Sequence, residues 1–279
     1  MKKVITLIIA ALMCLTALCA CSNADSKLNF GKEFVPAGSQ LDVLVQLNAK
    51  SVDVGIMDSI MAKYYTSQDS KYASALTVID GVKLTTEQYG IAARKGSALI
   101  YYINNALVEL SKDGTLKTLA DKFGIASDLC IDESYTAAEP TDTSDWDYIK
   151  QNGKLIIGYT LFAPIAYEDG SNLTGFDVEL ARLVCAKLGI EPEFVIINWD
   201  TKENSLKGKS IDCIWNGLTI DDDRKAAMEI SIPYLNNNQV AVIRKADADK
   251  YKSTADMKDA IIAAESGSAG EACVVPSEE

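Results

Sequence analysis

The sequence predicts an α/β protein whose sheets are mainly parallel and flanked by helices. Three observations carry this. Strand and helix patterns alternate along the chain, 48% of the 279 residues are hydrophobic against 24% charged, and no apolar run after residue 20 reaches membrane length. A chain of this length holds one large domain or two smaller ones.

The elements follow in order. Glu33–Pro36 reads as extended, and Leu41, Leu44, Val45 and Leu47 then recur at helical spacing. Val52–Met57 has the continuous apolar pattern of a buried strand, followed by a short helix over Ile60–Tyr65. Tyr89–Ala93 is extended. Leu99, Tyr102, Ile103, Ala106, Leu107 and Leu110 mark one face of a helix that stops near Gly114, and a second short helix runs to Phe123 with Gly124 as its C-cap. Residues 131–145 are acidic, rich in Thr and Ser and poor in large apolar groups, so they read as a linker. Trp146–Gln151 is a helical turn and Lys154–Gly158 a strand. Phe176, Leu180, Leu183, Val184 and Leu188 form another helical stripe. Glu193–Ile197, Ile211–Ile214, Gln239–Arg244 and Ala260–Ala264 read as strands.

Composition excludes several functions. The 27 basic and 39 acidic residues leave a net charge of −12, which argues against nucleic acid as a partner. The absence of His removes Ser-His-Asp hydrolysis, Cys-His proteolysis and His-ligated zinc. No metal and no cofactor is expected. Cys185 and Cys213 read as small buried apolar residues, since no C-x-x-C pair is present.

Lys2 and Lys3 precede an uncharged apolar stretch from Val4 to Ala20, the pattern of a secretory signal peptide over residues 1–20. Its end, Leu18-Cys19-Ala20-Cys21, resembles the bacterial lipobox. The resemblance makes Cys21 the lipidated first mature residue and residues 21–28 a tether, so the protein is expected outside the cytoplasm, held to the cell membrane by lipid alone.

From Trp146 onward the chain resembles the bacterial amino-acid-binding lipoproteins of ABC importers, the family 3 solute-binding proteins. The resemblance runs through DWDYIKQNGKLIIGYTLFAPIAYEDGSNLTGFDVELA, INWDTKENSLKGKSIDCIWNGLTIDDDR, ISIPYLNNNQVAVIRK and DMKDAIIAAESGSAGE. Earlier in the chain, FVPAGSQLDVLVQLNAKSVDVGIMDSIMAKYY resembles the later part of that family's second lobe. LTTEQYGIAARKGSALIYYINNALVELSKDGTLKTLADKFG resembles the segment that returns to complete the first lobe. The implied fold is the two-lobe periplasmic-binding-protein-like fold of type II, with its halves in circularly permuted order. The implied organisation places the later part of lobe two at 29–84, the return segment of lobe one at 85–130, the acidic linker at 131–145, the main part of lobe one at 146–246 and the first part of lobe two at 247–279. A monomer is expected; two chains exchanging halves, or a truncated tandem relic, are the alternatives.

The resemblance also implies a site. A free amino acid presents a carboxylate and an ammonium on one carbon, so its receptor needs a fixed cation and a fixed anion. Arg224 takes the carboxylate and Asp58 the ammonium. Asn216, Gly217, Leu218 and Thr219 line the same edge, Gly267, Ser268 and Ala269 close on the carboxylate from lobe two with backbone N–H groups, and Phe162 and Trp199 wall the ligand. Each has a plainer reading: Arg224 pairing with the acids before it, Asp58 as a helix N-cap, Trp199 and Phe162 as core, and Ser268 as a turn residue. The family often carries a hydroxyl where Ala269 stands and Thr or Ser where Asp221 stands. The expected function is binding of an amino acid for delivery to an ABC permease, without enzymatic activity. The alternatives are a dehydratase on the same fold, for which Glu168 and Glu265 are the carboxylates near the cleft, a sensor module, and a scavenger that no longer docks with a permease.

Overall fold

The computed structural model describes residues 28–67 and 70–276. The expected signal peptide, the lipidation site Cys21 and most of the tether lie outside the described residues. In chain order the elements are β1 (Glu33–Ala37), α1 (Gln40–Asn48), β2 (Val54–Asp58), α2 (Ser59–Thr66), β3 (Leu76–Lys83), β4 (Glu87–Arg94), α3 (Leu99–Lys112), α4 (Thr115–Lys122) and α5 (Ser144–Asn152). There follow β5 (Lys154–Tyr159), β6 (Tyr167–Asp169), β7 (Asn172–Thr174), α6 (Phe176–Leu188), β8 (Glu191–Ile196), α7 (Lys202–Lys207) and β9 (Cys213–Thr219). The last are α8 (Asp222–Ala227), β10 (Met228–Ile230), β11 (Leu235–Asn237), β12 (Gln239–Arg244), β13 (Ile261–Glu265) and α9 (Ala269–Val274).

Two open sheets organise these elements into two lobes. The first-lobe sheet has the order β10-β4-β9-β5-β8, with β11 also on β4; the second-lobe sheet has the order β1-β13-β2-β12-β3. The expected parallel core is present in both, as β8–β5–β9 and as β1–β13–β2. The antiparallel pairings come from the strands next to the two crossings between lobes: β12 lies against β2 and β3, and β4 against β9, β10 and β11. A chain that leaves one lobe and returns must reverse direction, so both sheets are mixed.

The helices bury the faces their sequences predict, with one shift. On α1 the buried positions are Gln40, Val43, Leu44 and Leu47, a set spaced i, i+3, i+4, i+7, while Val45 is exposed. The predicted stripe is therefore rotated, and Gln40, a polar residue, belongs to the inward arc. The α3 stripe buries Leu99, Ile103, Ala106, Leu107 and Leu110 as expected. Cys185 and Cys213 are fully buried free thiols. Elements not anticipated include β3, whose Asp80-Gly81 breaks its apolar pattern, the short hairpin β6–β7, and the short α7, β10 and β11. Strand β9 is also longer than predicted and carries Asn216 through Thr219 within it. The linker has no regular structure before α5 begins at Ser144. It lies along α3, held by Ser111 Oγ donating to Glu133 at 2.8 Å and Asn104 Nδ2 donating to the Tyr135 hydroxyl at 3.1 Å. Among the described residues no helix is long and apolar enough to cross a membrane.

Candidate functional site

A cleft between the lobes is lined by Gln40, Asp58, Glu265, Ser268 and Ala269 from one side and by Thr160, Leu161, Phe162, Trp199, Asn216, Gly217, Thr219 and Arg224 from the other. The space among these residues, open solvent included, is about 380 Å³. Parallel strands deliver its polar groups at their C-terminal ends, where an open α/β sheet leaves a crevice. Asp58 ends β2, Glu265 ends β13, and Thr160 follows β5.

Arg224 sits in α8 and is only 9% exposed. Its Nη1 donates to the Thr219 carbonyl at 2.7 Å, its Nη2 to the Gly267 carbonyl at 3.3 Å, and its Nε lies 3.2 Å from Asp221. A guanidinium has five N–H groups. These three contacts hold the plane and leave one N–H on each terminal nitrogen. The plainer reading of Arg224 is thus true of Asp221, which also caps α8 through the Arg224 backbone N–H at 2.7 Å, and it coexists with a place in the cleft. Asn216 stands beside it. Its Oδ1 accepts from the Thr160 backbone N–H and hydroxyl, whereas its buried Nδ2 has no partner. A buried donor without a partner is unfavourable in the free protein and is satisfied by a ligand acceptor. Gly217, at φ +60°, lets the rings of Phe162 and Tyr89 approach: a Cβ there would lie 2.8 Å from Phe162 and 3.1 Å from Tyr89. Its N–H is fixed by Asp177 at 2.8 Å, and Asp177, buried and shared with the Tyr234 hydroxyl, is pushed up to about 7 by loss of hydration.

Asp58 faces Arg224 from the other lobe. It occupies the position before α2 but makes no capping bond, so the plain N-cap reading does not hold. Its carboxylate accepts instead from the Tyr89 hydroxyl at 2.6 Å, from Gln239 Nε2 at 3.0 Å, and from the side-chain amides of Gln40 and Asn237. Tyr89, Asn237 and Gln239 lie at the two crossings, so this network ties the hinge to the site. Burial, then the neighbouring Glu87 charge, push Asp58 up to about 7 against the pull of Tyr89, Gln40 and Gln239. Glu87 itself accepts from Gln239 and Asn237 through one oxygen and leaves the other buried without a partner.

The lobes meet at Gly267. Lys202 Nζ donates to its carbonyl at 3.0 Å and to the Trp199 carbonyl at 3.2 Å, with the ammonium 4.9 Å from the centre of the Trp199 ring. Two lobe-one cations, Lys202 and Arg224, thus converge on one carbonyl of lobe two. Burial, then Arg224, pull Lys202 down to about 8.

Most of the predicted residues meet in this cleft, with three corrections. Leu218 does not line it: its side chain packs with Ala92, Trp199, Leu206, Ile214 and Met228 in the core, because successive residues of β9 point to opposite faces. Gly267 does not line the cleft either, and its carbonyl accepts from Lys202 and Arg224. The expected backbone donors of the Gly267–Ser268 turn are already used, the Gly267 N–H by the Glu271 carboxylate at 2.7 Å and the Ser268 N–H by the Glu265 carbonyl at 3.2 Å. Ser268 does line the cleft while its hydroxyl caps α9. Glu168 is exposed on β6 and outside the cleft, whereas Glu265 is part of it. The sequence reading missed Gln40, Thr160, Leu161, Tyr89, Glu87, Asn237, Gln239 and Lys202. Only Gln40 carried a signal, a polar residue at the start of the inward arc of α1.

Residues 155–266 match the family described as bacterial extracellular solute-binding proteins, family 3. The match covers less than half of the chain. It spans Phe162, Trp199, Asn216, Gly217, Thr219, Arg224 and Glu265, while Asp58, Gln40 and Ser268 lie outside it. The L-cystine-binding protein TcyJ of Escherichia coli K12 is 33% identical over 112 residues, 39% of this chain and 42% of that protein. The arginine-binding extracellular protein ArtP of Bacillus subtilis is 32% identical over 116 residues, 41% of this chain and 45% of that protein. The chain thus spans less than half the length of these family 3 relatives. Among solved structures, the arginine-bound form of domain 1 from TmArgBP shares 35% identity, covering 37% of this chain and 89% of that one with a TM-score of 0.31. A histidine-bound ABC uptake transporter substrate-binding protein from Streptococcus pneumoniae shares 34% identity, covering 31% of this chain and 36% of that one with a TM-score of 0.30.

Proposed function

We propose that this chain binds a free amino acid outside the cytoplasm, in the cleft between its lobes, and hands it to the permease of an ABC importer. One observation carries the reading: Arg224 of lobe one and Asp58 of lobe two, opposite in charge and both buried, face the same cleft. In this reading the two N–H groups left on Arg224 and the unpartnered Asn216 Nδ2 take the ligand carboxylate, with Thr219, Ser268 and Ala269 beside them. The carboxylate of Asp58 takes the ammonium, and Phe162 and Trp199 exclude water from the pair, which strengthens both charge contacts. The names of the family 3 relatives, which bind cystine or arginine, support an amino acid as ligand. They also favour binding over the dehydratase alternative.

Binding works by closure. A ligand that touches both lobes stabilises the closed form by its differential contacts, and the permease reads that form. The permuted order belongs to the same reading. Its support is that β1 and β13, from opposite ends of the described chain, pair in parallel register from Glu33↔Ile261 to Ala37↔Glu265, with Asn29 N–H donating to the Val274 carbonyl at 2.9 Å. The proposal takes the chain as a monomer, with exchanged halves as the alternative. Cys21 as lipid anchor completes the proposal.

The test is thermal unfolding of the purified chain with each of the twenty amino acids, together with its mass in solution. A ligand held only by the native state raises the midpoint by mass action. A rise with one amino acid in a monomer is expected. A cooperative melt that no amino acid shifts refutes the reading.

A further inference from the structure

Resting on the amino-acid reading of this cleft, we infer that Glu265 is a specificity residue which selects a ligand with a cationic side chain, an ammonium or guanidinium beyond the α-ammonium. The argument is a count of charges inside one cavity. Among its lining residues, Arg224 is the single cation, and Asp58 and Glu265 are two carboxylates. The zwitterionic head of any amino acid matches Arg224 with its carboxylate and Asp58 with its ammonium. Glu265 is left over.

No cation of the described residues pairs with it. Glu265 is 5% exposed and enters into no ion pair among the described residues. The cation whose field reaches it is Lys202, but that ammonium is committed to the carbonyls of Trp199 and Gly267 and does not line the cleft. Gln40 bonds Asp58 through both its Nε2 and its Oε1 and offers Glu265 a neutral amide, not a charge. Strands β13 and β2 are parallel neighbours, so Glu265 and Asp58 emerge from adjacent strand ends into the same space. The Asp58 charge raises the proton affinity of Glu265 there. Burial first, then the Asp58 charge, push Glu265 up to about 8, against the pull of Lys202 and Gln40, with Asp42 of α1 adding to the push. Burial disfavours the charged form of such a carboxyl, and an incoming cation favours it. A neutral side chain offers no such charge. It must also sit beside a second buried acid that its own head group does not use.

The experiment compares pairs of near-equal shape by isothermal titration: L-arginine with L-citrulline, and L-lysine with L-norleucine. Two lengths are used so that reach along the cleft does not decide the outcome. For at least one pair the cationic member is expected to bind about 30-fold or more tightly, the low end for a buried charge pair. In Glu265→Gln, which keeps size and hydrogen-bonding capacity, that ratio is expected to fall to within about threefold of one. Equal or tighter binding of the neutral member in both pairs overturns the inference and leaves amino-acid binding standing. A cationic preference that Glu265→Gln preserves also overturns it. If the protein melts cooperatively and no amino acid gives heat, the cleft is not an amino-acid site, and this inference falls with the reading on which it rests.

Discussion

Gly267→Ala separates backbone strain from lobe closure. Gly267 has φ +70°, and an alanine there would carry its Cβ to 2.9 Å from Asp200 Cα and 3.0 Å from Asp200 Oδ1. The left-handed conformation costs a non-glycine residue about 1–2 kcal/mol whether the lobes are open or shut. For a domain of this size that lowers the melting midpoint by about 2–8 °C without ligand, taking about 2–4 °C per kcal/mol. The Asp200 contact differs in kind, because Asp200 belongs to lobe one and Gly267 to lobe two. It spans the two lobes, and the backbone Cα it involves cannot rotate away. Overpacking of this kind costs about 1–3 kcal/mol. It also moves the Gly267 carbonyl, which receives both Lys202 at 3.0 Å and Arg224 at 3.3 Å. If binding requires the closed form, the apparent affinity falls by the same free energy, about 5- to 150-fold. Titration calorimetry with the amino acid that raises the parent midpoint measures it, and small-angle scattering with saturating ligand reads the closure. A lower midpoint with a dissociation constant within twofold of the parent would show that the bound form does not use the Gly267–Asp200 contact, and the closure argument would fail.

Three further outcomes are expected. Arg224→Ala weakens binding by about 2–5 kcal/mol, the range for breaking a buried charge pair, and Arg224→Lys by less, since a point charge replaces a planar fork; unchanged affinity in the alanine variant refutes the carboxylate assignment. The ligand-free protein is more stable at pH 5.5 than at pH 8. Asp58 and Asp177, pushed up to about 7, and Glu265, pushed up to about 8, hold protons in the folded state that the unfolded chain has already released. Their contribution therefore declines as pH rises from the ordinary carboxylate range through 7–8, and a midpoint that is level or higher at pH 8 contradicts this. If Cys21 is the lipid anchor, the stretch of about a dozen residues from it to β1 spans only about 20 Å and would hold lobe two rather than lobe one at the membrane, so a version with residues 146–279 placed before 29–145 is expected to support faster uptake in cells; equal uptake rates remove the idea.

Much of the scaffold was readable without coordinates because it depends on periodicity alone. The α3 stripe of Leu99, Ile103, Leu107 and Leu110 and the apolar runs in β2 and β12 are local patterns that burial then confirms. Elements with weak local patterns were missed. Strand β3 contains Asp80-Gly81, and β6 and β7 are three residues each, too short for alternation to show. In α1 the pattern was visible but its phase was not, since nine residues admit two inward arcs and only the contact with Asp58 selects the one that includes Gln40.

The site divides along the same line. The resemblance singled out a cation and an anion, Arg224 and Asp58, as a matched pair, and two aromatics to enclose them. That much depends on residue type and on resemblance, both properties of the linear chain. Which groups remain free to act depends on every other group within bonding distance, and folding decides that. Folding turned Leu218 into the core, gave the Gly267 N–H to Glu271, surrounded Asp58 with four side-chain donors from three separate stretches, and left Asn216 Nδ2 without a partner and Glu265 without a counterion. The sequence by itself determined the kinds of charge available and the layered α/β scaffold. Only the tertiary structure decided which of those charges are already spent, because hydrogen bonding and desolvation act between residues that the chain holds far apart and the fold brings together.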